Sequence, residues 1–182
     1  MNKIFLGFLI LCFFYTSNLN AEKIKKLQIG DIFPTIEGEL LSSKKITLPD
    51  HCKGKITLLA VAFKRGTQYQ IDSWTRPLLF EFSRNNNFRF IEIPMISNFY
   101  SWISNYIDNG MRKGIVPSMH KNVMTYYGSL DNYFSYFGVE DTKLCYIFLL
   151  NKNSEILYMN KGIASPKKIK ILSNNIRNLL EE

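Results

Sequence analysis

The 182-residue chain holds three cysteines, Cys12, Cys52 and Cys145, and two histidines, His51 and His120. A dithiol oxidoreductase needs two cysteines a few residues apart, and a zinc site needs Cys and His in close groups. Neither spacing occurs. His51 and Cys52 are adjacent, but neighbours in an extended chain point to opposite faces and do not make a dyad. Met111, Met119, His120 and Met124 gather soft donors that suit copper(I), yet thioethers also fill cores, and no cysteine pair accompanies them. No glycine-rich phosphate loop, serine elbow or paired-histidine helix is present. We therefore expect no metal and no cofactor.

A different group stands out after the apolar run Ile56 to Phe63: Lys64, Arg65, Gln68, Asp72 and Trp74. The run has strand length and is apolar throughout, as a central strand covered on both faces would be. The residues after it fall at a strand's carboxyl end and a helix start, where α/β folds bind ligands. Two cations and an amide there could hold an anionic group or a peptide segment. The plainer alternative is a salt-bridged loop, with Arg65 pairing Asp72 and Trp74 in the core.

The elements that must position this group follow along the chain. Ile29 to Gly38 and Lys45 to Pro49 form an extended arm. A helix starts near Ile71 or Asp72, with Asp72 a candidate N-cap and Pro77 able to kink it. Phe88 to Pro94 alternates as a second strand, stopped by proline. Ser97 to Ile107 predicts a helix ended at Asn109-Gly110. Its aromatics, Phe99, Tyr100, Trp102 and Tyr106, either pack on a sheet or dock a partner or membrane surface. Asn122 to Tyr127 is a third strand, and Leu130 to Phe137 a short helix ended by Gly138. Leu144 to Leu150, a turn at Asn151 to Ser154 and Glu155 to Asn160 make a hairpin. Ser165-Pro166 opens a last helix with Ile169, Leu172, Ile176 and Leu179 on one face. The alternation of strands and helices argues for an α/β architecture.

Composition bounds the rest. With 46% hydrophobic residues and 14% aromatics, the chain is globular. Its formal charge of +8 is spread without a basic block, as on a solvated surface, and does not suggest nucleic-acid binding. It would favour anionic lipid or an acidic partner. Lys3, the apolar run Ile4 to Tyr15 and the polar stretch ending at Ala21 have the layout of a secretory signal peptide. The protein is then exported, to the periplasm of a two-membrane cell. An uncleaved anchor in the inner membrane is the alternative.

Element order and scattered motifs resemble the thioredoxin-like superfamily in its peroxiredoxin-like, or redoxin, branch. Gly30-Asp31-Ile32-Phe33-Pro34 is similar to that branch's N-terminal arm, and Asn151 to Ile156 occupies its late hairpin. A nearer similarity is to cysteine-poor bacterial relatives of the thioredoxin-like assembly factor of mitochondrial ATP synthase. It is carried by Ala62-Phe63-Lys64-Arg65, Gln68, Ile71-Asp72-Ser73-Trp74, Ile93-Pro94, Asp108 to Arg112 and Gly114-Ile115. The resemblance implies a three-layer α/β sandwich with a mixed central sheet and helices on both faces. With the signal peptide read above at 1–21, the chain then divides further into an N-terminal arm at 22–54 and a thioredoxin-like domain at 55–182.

The departures from the family shape the functional expectation. Its attacking cysteine belongs at the helix start, where the helix lowers a thiol's pKa; Thr67 to Asp72 stand there instead. Its cis-proline belongs before the late strand, where Asp141 to Cys145 stand. We expect a binding or assembly factor of the cell envelope that holds a protein or peptide segment, for instance a membrane-complex subunit, near Lys64, Arg65, Gln68, Asp72 and Trp74. The alternative is a thiol-dependent oxidoreductase or peroxidase working through Cys145 or Cys52, each of which otherwise reads as an inert thiol.

Overall fold

A computed structural model describes residues 25–181; the expected signal peptide at 1–21 lies outside the described residues. Seven strands form one mixed sheet: β1 (Ile36–Leu40), β2 (Lys45–Leu48), β3 (Ile56–Ala62), β4 (Phe88–Ser97), β5 (Met124–Gly128), β6 (Tyr146–Leu150) and β7 (Ile156–Lys161). Their order is β2-β1-β5-β4-β3-β6-β7. β3 runs parallel to β4, and β4 to β5, while the remaining pairs are antiparallel. Every residue of β3 is buried, as a continuous apolar run requires of a strand flanked and covered on all sides.

The helices are α1 (Gln68–Phe82), α2 (Ser104–Gly114), α3 (Asp131–Phe137) and α4 (Pro166–Glu181). Strand alternation sends side chains into two cores. On one face Leu58, Ala60, Phe90, Ile147 and Leu149 meet Ile71, Trp74 and Leu78 of α1 and Leu172 and Ile176 of α4. On the other, Leu59, Val61, Ile91, Ile93 and Phe148 meet the arm residues Phe33 and Leu48 and Phe137 of α3. α1 and α4 are further tied by the Ser173 hydroxyl donating to Glu81 at 2.6 Å and by the Arg177–Glu81 ion pair. Gly138 ends α3 at φ 58°, a left-handed cap that glycine adopts without strain. Lys167 and Lys168 open α4, against its dipole; the Lys168 ammonium lies 5.6 Å over the Trp74 ring, which offsets part of that cost.

Three sequence expectations change. α1 begins at Gln68, directly after a 3₁₀ turn at Arg65–Thr67, so Asp72 is inside the helix and does not cap it. β4 continues through Pro94 to Ser97. Pro94 is the last residue to face β3 and Met95 the first of the run facing β5, so the proline falls at ladder ends, where a missing N–H is tolerated. The aromatic stretch is a 3₁₀ segment, Asn98–Ile103, leading into α2, which runs past Asn109-Gly110 to Gly114. Ile103, Ile107 and Met111 take the half-buried side. Phe99, Trp102 and Tyr106 stand 72%, 79% and 80% exposed. They do not pack on the sheet.

Candidate functional site

β3, β4 and β5 are parallel, so their carboxyl ends share one edge of the sheet. The entry to β6 and the exit from β7 meet them there, because those strands run antiparallel. The loop after β3 carries Lys64 and Arg65. Both are exposed, and neither joins an ion pair among the described residues. Thr67, buried, donates its hydroxyl to the Lys64 carbonyl at 2.7 Å and holds the turn. No side chain caps α1, so its first-turn amides leave partial positive charge at this edge.

Gln68 and Asp72 lie one turn apart and touch: the Gln68 amide donates to Asp72 Oδ1 at 3.1 Å. Asp72 pairs with Arg76 at 2.7 Å, four residues on along the helix, and not with Arg65. A third member comes from β4. Phe88 and Phe90 point under α1, and Glu92 follows on the same face. Burial pushes its carboxyl up to about 7; the Gln68 amide favours the ionised form and the Asp72 charge opposes it. The structure thus joins Gln68, Asp72 and Glu92 beneath the start of α1, with the two free cations beside them.

Trp74 lies in the core. It is fully buried, and its indole N–H donates to the Gly162 carbonyl at 2.7 Å. Gln70 emerges as a site-shaping residue. Its amide donates to the Lys143 carbonyl at 2.8 Å and accepts from the Cys145 N–H at 3.0 Å. Ser73 accepts from the Ala164 N–H at 2.9 Å. The first two turns of α1 therefore staple both neighbouring loops to the helix, and the backbone entering β6 is satisfied internally.

Neither thiol reaches this edge as a nucleophile. Cys145 is fully buried, donates to the Gly162 carbonyl at 3.3 Å and has its pKa raised by burial to about 11. Cys52 is buried in the arm-side core, and burial raises it to about 11 as well. They are free and lie on opposite faces of the sheet. A thiol at 11 is thiolate in about one molecule in ten thousand at neutral pH, so neither suits attack on a disulfide or peroxide. The soft-donor residues are dispersed: Met124 is buried on the arm side, Met119 packs on the α1 side, and His120 Nε2 lies 2.9 Å from the Ile115 carbonyl. A hollow lined by Leu27, Pro34, Tyr126, Tyr133 and Tyr136 opens elsewhere, beside α3.

Of the two missed residues, Glu92 left a signal. Phe88, Phe90 and Glu92 alternate with Ile91, Ile93 and Met95, so both faces of β4 read as covered and a lone carboxylate there is partly desolvated. Gln70 gave none, since a glutamine among polar loop residues looks like surface.

Comparison with known proteins agrees with this fold. The fold resembles a putative protein disulfide isomerase from Bacteroides thetaiotaomicron, with TM-score 0.60, 15% identity and coverage of 86% of this chain and 92% of that one. It also resembles a peroxiredoxin-like protein from Aquifex aeolicus, with TM-score 0.53, 12% identity, and 85% and 88% coverage. A third likeness is to BsSco, a member of the Sco family of cytochrome c oxidase assembly proteins, with TM-score 0.59, 11% identity, and 86% and 97% coverage. At such identities these likenesses show the thioredoxin-like α/β fold alone. A search of the curated proteins finds no significant match. The model of the ATP10 protein family matches residues 20–179, nearly the whole chain, and this protein belongs to that family.

Proposed function

We propose that the protein is an exported assembly factor of the cell envelope that holds a segment of a client protein at the carboxyl edge of its sheet. The observation that carries the reading is a substitution of chemistry. Where a thiol enzyme of this fold keeps its attacking sulfur, this chain presents exposed Lys64 and Arg65 and the Gln68 amide, while both thiols are sealed inside. The unpaired cations and the uncapped start of α1 favour a segment bearing carboxylates. Family membership and the assembly role of the Sco family, to which the structurally similar BsSco belongs, support the same reading. The apolar run Ile4 to Tyr15 supports export to the periplasm, with a subunit of an envelope membrane complex as client.

A photo-crosslinking amino acid at position 65, introduced into the full chain in its native cell, tests this. Crosslinks should join one envelope protein, and K64E should weaken them while leaving far-UV circular dichroism unchanged. The same probe at exposed Lys170 should give none. Peroxide or disulfide turnover abolished by C145S or C52S would overturn the reading. So would crosslinking at position 65 indistinguishable from that at 170.

A further inference from the structure

We propose that the stretch Asn98 to Lys121 is a docking surface for an anionic lipid bilayer. It rests on residues other than the client site. Among the described residues, five of the eleven large apolar side chains left exposed lie here: Phe99, Tyr100, Trp102, Tyr106 and Val116. Phe99 and Trp102 are three apart in a 3₁₀ segment, which aligns them, and Tyr106 follows four on along a helix. Ile103 and Ile107 point the other way. Three rings therefore project from one face of a segment eight residues long.

Charge selects the occupant. The stretch contains Arg112, Lys113 and Lys121 and a single acid, Asp108. Asp108 is 8% exposed and turned inward, accepting from the Tyr127 hydroxyl at 2.7 Å. Lys113 and Lys121 are exposed, and neither joins an ion pair among the described residues. The stretch thus offers exposed cations and rings with no exposed carboxylate of its own. Trp and Tyr favour the headgroup level of a bilayer, where the ring is half in hydrocarbon and its polar atom is wet. Lysines beside them are drawn to anionic lipid. A second copy would bring the same lysines of a chain of charge +8 together, which argues against self-association. No helix among the described residues is long and apolar enough to cross a membrane; the contact proposed is interfacial.

The chain contains two tryptophans, and Trp74 is sealed in the core, so a change in emission reports Trp102. The full chain is mixed with vesicles of phosphatidylglycerol and phosphatidylcholine, or of phosphatidylcholine alone, with sedimentation and acrylamide quenching as readouts. The N-terminal apolar run contains no tryptophan, so its insertion would sediment the protein without shielding Trp102. Anionic vesicles should shift Trp102 emission to the blue and protect it from acrylamide, more weakly as salt rises. K113Q/K121Q should lower partitioning on the order of 25-fold, about fivefold per lysine. F99S/Y106S should lower it about tenfold or more. Sedimentation with Trp102 still quenched would overturn the proposal. So would binding unchanged in both variants, equal shielding on phosphatidylcholine alone, or Trp102 shielding without vesicles that tracks a doubled mass.

Discussion

Glu92 makes the stability of this fold depend on pH in a direction unusual for a carboxylate. A carboxyl held at about 7 in the fold and at about 4.5 in the unfolded chain binds an extra proton in the native state between those values. Stability from this group is therefore greatest below pH 4.5, falls as pH rises through 7, and is level above. Between pH 5 and pH 8 the loss comes to about 2.5 kcal/mol. His51 runs the other way. Burial, and then Arg89, Lys44 and Lys55, hold its pKa below 6.5, so its contribution grows as pH rises through that value. A single profile would mix the two, and the difference between variant and parent separates them. E92Q keeps the shape and the hydrogen bonding toward Gln68 while removing the titration. Urea unfolding at pH 5 and pH 8 should show E92Q gaining on the parent by about 2.5 kcal/mol at the higher pH. A constant difference at the two pH values would refute the half-buried placement of this carboxylate.

Two further outcomes follow from the staples and thiols. Q70L should cost about 2–4 kcal/mol in urea unfolding, because the Cys145 N–H and the Lys143 carbonyl lose their partner together; an unchanged midpoint would show that this glutamine does not hold α1 to the loop. In a C12S background, Cys52 and Cys145 should resist a thiol reagent at pH 8, where about one thiol in a thousand is ionised at a pKa near 11, and both should react once the chain is unfolded. Prompt labelling of the folded protein would contradict their burial.

Much of the frame was legible because it depends on local pattern. The apolar run from Ile56 marked the central strand, Gly138 marked a left-handed cap, and the spacing of Leu172 and Ile176 marked the buried face of the last helix. Order and motifs together gave the thioredoxin-like class. The errors arose where long-range contacts decide. Proline at 94 reads as a strand end unless the partner on each side is known. Aromatics at helical spacing read as a core face, but Ile103 and Ile107 claim that face and the rings go outward. In the candidate site, Lys64, Arg65, Gln68 and Asp72 were singled out from their place after the strand. Trp74 was open between site and core, and its bond to Gly162, 88 residues away, decides for the core. Gln70 works through partners 73 and 75 residues away, which no local pattern announces.

The two sealed sulfurs bear on where such a protein can work. Glutathione and its oxidised form act only on sulfur they can touch, and a sheet separates Cys52 from Cys145. A swing in ambient potential then has nothing in the folded core to titrate: it neither couples copies through these residues nor loosens the packing around them. The folded core is indifferent to redox poise, and its surface would be the same in oxidising and reducing surroundings alike.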